Sequence, residues 1–186
     1  MGKFYNSISE AHMEFIRNQH IFFVATAPLA PDGRINLSPK GLDCFRVLGA
    51  NLVGYMDLIS SGNETSAHTL ENGRVTFMLC SFEGEPRIMR LYGKGRAVLP
   101  GTEDWEAYAK HFTIFPSTRQ LIIAEIDMVQ TSCGFGVPLF EYTGERDLHF
   151  KWAEKKGDNG LKEYIQDNNL KSLDGLPTDL GLVNNP

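Results

Sequence analysis

The sequence predicts a mainly β protein, an antiparallel barrel with a few short helices packed outside it. Three observations carry that reading. Runs with strand character recur at short intervals along the chain. The helical stretches between them are too few for β-α-β alternation, which sets aside a doubly wound parallel sheet. The longest run, Arg87 to Leu99, places Gly93 and Gly95 at alternate positions, which suits a strand bent around a small barrel.

Taken in order, Ser9 to Gln19 spaces Ala11, Met13, Phe15 and Ile16 as a short amphipathic helix, with Ser9 as its capping residue. Ile21 to Thr26 is bulky and partly β-branched, the mark of a buried strand. The turn Pro31-Asp32-Gly33 joins it to Arg34 to Ser38 as a hairpin. Asp43 to Leu48, Leu52 to Met56 and Arg74 to Phe82 read as further strands, the last two separated by a helix from Glu64 to Leu70 that Asn72-Gly73 closes. Glu83 to Pro86 is a turn into the long strand, whose odd positions are apolar or small and whose other face carries Arg90, Lys94 and Arg96. Thr102 to Phe112 is a helix capped by Thr102. Gln120 to Gln130 alternates as a strand, and Val137 to Tyr142 is expected to add a last one. The stretch from Glu154 to Asn169 is polar and charged, and Asp174 to Pro186 has loop composition. The expected organisation is one domain over 1–186, with an N-terminal helix in 1–20 and a helix and loop extension over 150–186.

With 186 residues and 42% hydrophobic content, the chain has material for one ordinary core. The 18 basic and 23 acidic residues give a net charge of −5, which argues against binding a nucleic-acid backbone. The longest apolar run, Ile21 to Ala27, falls well short of the roughly 20 residues of a membrane span and sits too far in for a signal peptide. Cys44, Cys80 and Cys133 show no pairing pattern. They are expected to be buried thiols in a reduced, cytoplasmic setting. The sequon matches at Asn36 and Asn63 then have no secretory context.

The five histidines form no metal-ligand spacing. The nucleophile elbow, the phosphate-binding loop and the dinucleotide fingerprint are all missing. What remains is a set of anion-friendly elements. In Asn36-Leu37-Ser38-Pro39-Lys40 a strand ends with a hydroxyl and an ammonium two residues apart, so both project to one side. Ser61 to His68 opens a helix with several hydroxyls, where free N–H groups attract phosphate. A capping box of Ser61 with Glu64 accounts for the same residues. Gly134-Phe135-Gly136 permits close backbone approach to a flat ligand, or a sharp turn.

From about Ile21 to Val98 these residues resemble the pyridoxamine 5'-phosphate oxidase-like family of flavoproteins. The resemblance lies in the order and spacing of Arg34 to Lys40, Leu52 to Met56, the run Thr65 to Val75 with its Ala67-His68, Glu71-Asn72 and Arg74-Val75, and Arg87 to Val98 with its Gly93-Lys94-Gly95-Arg96-Ala97. The resemblance implies an antiparallel split β-barrel of the FMN-binding type, forming a homodimer whose two FMN sites are each built from both chains. Carried over by position, Asn36, Leu37, Ser38, Pro39 and Lys40 line the flavin and its ribityl chain. Tyr55 and Met56 line the cofactor, Thr65 and Ser66 take the phosphate positions, Arg90 runs beside the ring, and Phe135 closes the site from the partner. The expected partners are a second copy and a small molecule, with neither nucleic acid nor membrane.

The chain departs from the family's oxidases at Thr65-Ser66, where they carry Arg-Lys, and at Ile35, where they carry Arg. It also lacks their Arg-rich C-terminal end. Pyridoxamine phosphate is therefore a poor fit as substrate. The expected activity is FMN-dependent oxidoreduction of a small molecule, with no general acid or base named. The alternatives are a non-catalytic flavin carrier, or a split barrel holding a deazaflavin or haem.

Overall fold

A computed structural model describes residues 2–184. Met1 and the last two positions of the tail lie outside them. The strands are β1 (Lys3–Tyr5), β2 (Phe22–Thr26), β3 (Asn36–Lys40), β4 (Phe45–Gly49), β5 (Leu52–Leu58), β6 (Arg74–Cys80), β7 (Arg87–Val98) and β8 (Thr118–Cys133). The helices are α1 (Glu10–Arg17), α2 (Glu64–Asn72), α3 (Glu103–Ala109), α4 (Leu148–Asn168) and α5 (Asp179–Asn184), with α4 broken at Gly157.

All strand pairs are antiparallel, in the order β3-β2-β6-β7-β8-β5-β4. The long strand β8 is the spine. It pairs with β7 over most of its length, with β5 through its first half and with β1 near its end. Alternation does the rest: Val24, Phe77, Leu91 and Val129 stand opposite one another across four strands, all fully buried. The sheet curls until Phe22 of β2 reaches Phe45 of β4 at 4.8 Å, with Tyr55 and Phe77 completing the aromatic centre. The barrel stays open between edge strands β3 and β4, and that gap is the split.

Two local devices shape it. At Gly93 the ladder shifts, and a side chain there would place its Cβ 1.9 Å from the Glu125 carbonyl oxygen. Only glycine permits that approach. At α1, Ser9 and His12 form a reciprocal capping box, in which the His12 Nδ1 accepts from the Ser9 N–H at 3.1 Å.

The fold corrects several expectations. Residues 137–142 form no strand. Pro138 offers no N–H, the segment makes a backbone bond from Phe140 to Phe82 O, and it runs as an irregular arm. The tail is not all loop, because Thr178 Oγ accepts from the Gly181 N–H and starts α5. Strand β1 is too short to carry a periodic signal. Asn63 stands at the N-cap position of α2 but its side chain makes no cap bond, there is no Ser61 box, and Glu64 instead accepts from the Leu173 N–H at 2.9 Å. Cys44 and Cys80 are buried but Cys133 is exposed. No helix among the described residues is long and apolar enough to cross a membrane.

Candidate functional site

The residues expected around a ligand separate by strand alternation. Asn36, Ser38 and Lys40 stand opposite Thr26, Val24 and Phe22, on the barrel side of β3. Leu37 and Pro39 point outward.

The inward set forms two linked clusters at the split. In the first, the Asn36 amide donates to Thr26 Oγ1 at 3.1 Å and to Thr65 Oγ1 at 3.2 Å, and Ser38 Oγ donates to Asn36 Oδ1 at 2.9 Å. Thr26 Oγ1 also meets the His68 Nδ1 at 3.0 Å. Burial lowers the His68 pKa and outweighs the acidic groups around it, which favours the neutral ring. Its Nε2 has no partner, and neither does the hydroxyl of the fully buried Tyr55.

The second cluster bridges the split. Lys40 Nζ, at the end of β3, reaches Asp57 Oδ1 of β5 at 3.1 Å and sits 5.7 Å from the Tyr55 ring centroid. The other oxygen, Asp57 Oδ2, accepts from Arg119 Nε and from Gln120 Nε2, both at 2.8 Å. Gln120 also donates to Asn63 Oδ1 at 2.8 Å, and Arg119 Nη1 donates to Gly62 O at 2.7 Å. Burial alone would push the Asp57 carboxyl up, yet the charges of Arg119 and Lys40 and the bonds from Arg119 and Gln120 hold it well below the usual range. Two cations share one carboxylate, which leaves one net positive charge. Lys40 is the member facing outward, with a side chain 20% exposed against 1% for Asp57 and 3% for Arg119.

Lys40 opens into a cleft of about 1060 Å³ between α1 and the arm leading into α4. Phe15, Phe82, Phe140 and Tyr142 supply aromatic walls. The arm is pinned across the cleft by Tyr142, which stacks on His20 at 3.6 Å and donates its backbone N–H to Glu83 at 2.8 Å.

The other expected residues lie elsewhere. Met56 is buried on the face of β5 opposite Tyr55. The row Pro39, Phe23, Met78, Arg90 crosses three strand spacings, which puts Arg90 about 14 Å from β3, on the outer face. Phe135 is 83% exposed on the arm beyond β8. Ser66 is fully buried, its hydroxyl donating to Asp179 Oδ2 at 3.0 Å and accepting from the Asp179 N–H at 3.1 Å. Asn63 is 1% exposed and held by Gln120 and Asn169, so its sequon match is closed to any modifying enzyme.

The sequence did not mark Thr26, Asp57, Arg119, Gln120 or Asp179 as site residues, and it placed Asn63 and His68 only within the segment that opens α2. One signal was present: Asp57 is a lone acid in the apolar run Leu52 to Leu58, and a charge there demands a buried partner.

A flavin mononucleotide combines a flat ring, a ribityl chain of hydroxyls and a phosphate dianion. The donor set fits such a group at Lys40, whose ammonium has three N–H donors and gives one to Asp57. It does not fit at Ser66, because a carboxylate of the chain itself already stands there. Among the described residues no group of His, Cys, Asp or Glu could hold a metal ion.

An antiparallel split barrel with a polar cluster at its opening defines the class, and sequence comparison supplies the family. A family model described as pyridoxamine 5'-phosphate oxidase matches residues 8–132. The pyridoxamine 5'-phosphate oxidase family protein ustO of Aspergillus flavus is 40% identical over 195 residues, covering 95% of this chain and 78% of ustO. The chain belongs to the pyridoxamine 5'-phosphate oxidase family. Two solved structures share its fold: a HupZ variant from Group A Streptococcus, with a TM-score of 0.53 and 19% identity over 67% of this chain and 99% of that one, and an FAD-binding protein from Mycobacterium smegmatis, with a TM-score of 0.50 and 15% identity over 68% of this chain and 96% of that one.

Proposed function

We propose that this protein binds FMN at the split and uses it to oxidise or reduce a small organic molecule, working as a homodimer. The observation that carries the reading is the Lys40 ammonium, which shares Asp57 with the buried Arg119 and so keeps positive charge to spare, at a cleft whose lining is aromatic and also carries five glutamates beside Arg87 and Arg146. One phosphate matches one such charge, and a neutral ring matches the aromatic walls. Membership of the family and the flavin in the name of the Mycobacterium smegmatis protein agree with it.

When bound, the flavin supplies hydride exchange at its ring. This chain's contribution is placement. Lys40 holds the phosphate, the bonded row of Asn36 and Ser38 keeps β3 in place behind it, and the arm from 138 to 147 excludes water from the cleft. A cleft of about 1060 Å³ exceeds what one flavin fills and leaves room for a substrate.

A second copy completes the site. Arg90, on the outer face about 14 Å from β3, does not reach Lys40 within one chain, while Ile35, Leu37 and Phe135 expose large apolar side chains at 76%, 64% and 83%. A partner packed there would cover them and bring its own Phe135 toward the cleft.

The test is the absorption spectrum of the purified protein and its titration with FMN. Flavin bands, or saturable uptake of FMN, are expected; a protein that takes up no FMN overturns the proposal. Anaerobic bleaching of the bound flavin by NADPH or an organic reductant is the expected mark of an enzyme, and a flavin inert to all of them marks a carrier.

A further inference from the structure

Asp57 is the hinge of the cluster at the split. It is 1% exposed, and its two oxygens receive three hydrogen bonds from three side chains on β3 and β8. Both Arg119 and Gln120 are themselves buried, at 4% and 0%. Arg119 is fixed again at Gly62 O and Gln120 at Asn63 Oδ1. The carboxylate therefore cannot follow Lys40; Lys40 must come to it. A buried ionic group of this kind gives little net stability over an apolar replacement of equal volume. What it does give is a fixed direction to an ammonium on a flexible four-carbon stem.

We propose that Asp57, clamped by Arg119 and Gln120, is the positioning residue that holds the Lys40 ammonium across the split for a phosphate group in the cleft. The inference rests on the reading of Lys40 as the group that holds the FMN phosphate. Asp57 does not touch the ligand. Its effect runs through Lys40, so it appears only with ligands that carry the phosphate.

Two simpler roles make opposite predictions. If Asp57 merely cross-links strands, its loss weakens every flavin alike. If it merely offsets charge, its loss leaves two positive charges and tightens FMN.

The experiment titrates the full chain with FMN and with riboflavin, the same flavin without phosphate, reading flavin fluorescence at fixed ionic strength. The proteins are the wild type, Lys40→Met, Asp57→Asn and the double variant Asp57→Leu/Arg119→Met, which removes the carboxylate together with its buried partner and so avoids an unpaired charge. Lys40→Met and a folded Asp57 variant are each expected to lose about ten-fold in FMN affinity, the worth of one charge-assisted bond, with riboflavin affinity within about two-fold of wild type. If Lys40→Met loses FMN selectively while the folded Asp57 variants keep or improve the wild-type preference for FMN over riboflavin, or lose both flavins alike, the positioning role is overturned alone. If Lys40→Met leaves that preference unchanged, the phosphate lies elsewhere, and the assignment of Lys40 falls together with this inference.

Discussion

Lys40 and Lys94 are both lysines on strands of one sheet, yet their surroundings give them different work. Lys94 is exposed and spends its ammonium on the Asn72 carbonyl at 2.9 Å, whereas Lys40 is aimed by a buried carboxylate into a cleft. Lys40→Ala should therefore weaken FMN binding by about ten-fold and Lys94→Ala by less than about two-fold, measured by flavin titration. Ser66 shows the reverse case. Its hydroxyl is engaged by Asp179, whose carboxyl is pushed up by burial more than its bond to Ser66 draws it down. Ser66→Ala should cost about 1 kcal/mol of stability, read by denaturant unfolding, and leave FMN affinity within about two-fold. Loss of FMN affinity in that variant would instead place phosphate at α2. The strand pattern of Asn36 to Lys40 was legible because side chains two apart share a face. The partner of Lys40 was not legible, since Asp57 is 17 positions away on a strand that meets β3 only when the sheet curls.

Helix α1 has a histidine, His12, at its third position, where a capping box ordinarily has Glu or Gln. Burial lowers the His12 pKa below 6.5, with the charge of Arg87 adding to it against a bond to the Ser7 backbone. The neutral ring is the form whose Nδ1 accepts from Ser9. A histidine with a lowered folded pKa contributes stability that is present above 6.5 and lost as pH falls from 6.5 toward the folded value. The protection factors of the α1 amides, exchange rates corrected for the intrinsic pH dependence of the chemistry, should accordingly fall between about pH 7.5 and 5.5, and His12→Gln should flatten that dependence. Because His68 and His149 shift the same way, global unfolding would mix three groups, and the local readout at α1 isolates one. Among the elements, helices with strong caps and strands with alternation were the readable ones. The arm after β8 has apolar Val137 and Leu139 two apart, as in a strand, but finds no neighbouring ladder and stays irregular.

For the molecule as a whole, the open edges of the barrel and the apolar residues beside them set the expected assembly. Sedimentation at micromolar concentration should give a dimer. Ile35→Glu, on an outward side chain that is 76% exposed and away from the inward cluster, should shift the equilibrium to monomer and reduce FMN uptake with it. A monomer that binds FMN as tightly as the dimer would count against a shared site.

The sequence by itself determined the class of fold, the inward and outward faces of β3 and β7, the helix caps at Ser9 and Thr102, and the likeness to a flavoprotein family. Each of these is a local property, written in periods of two or about 3.6 residues and in short spacings. By contrast, the bulge opposite Gly93 moved Met128 off the face of Ile122, Ala124 and Ile126. The tertiary structure alone decided which polar groups meet. Arg119 lies 62 positions from Asp57, and Asp179 lies 113 from Ser66. No period in the sequence links residues so far apart. Their pairing follows from the curl of the sheet and the path of the tail, which bury these groups together and so oblige each to find a partner.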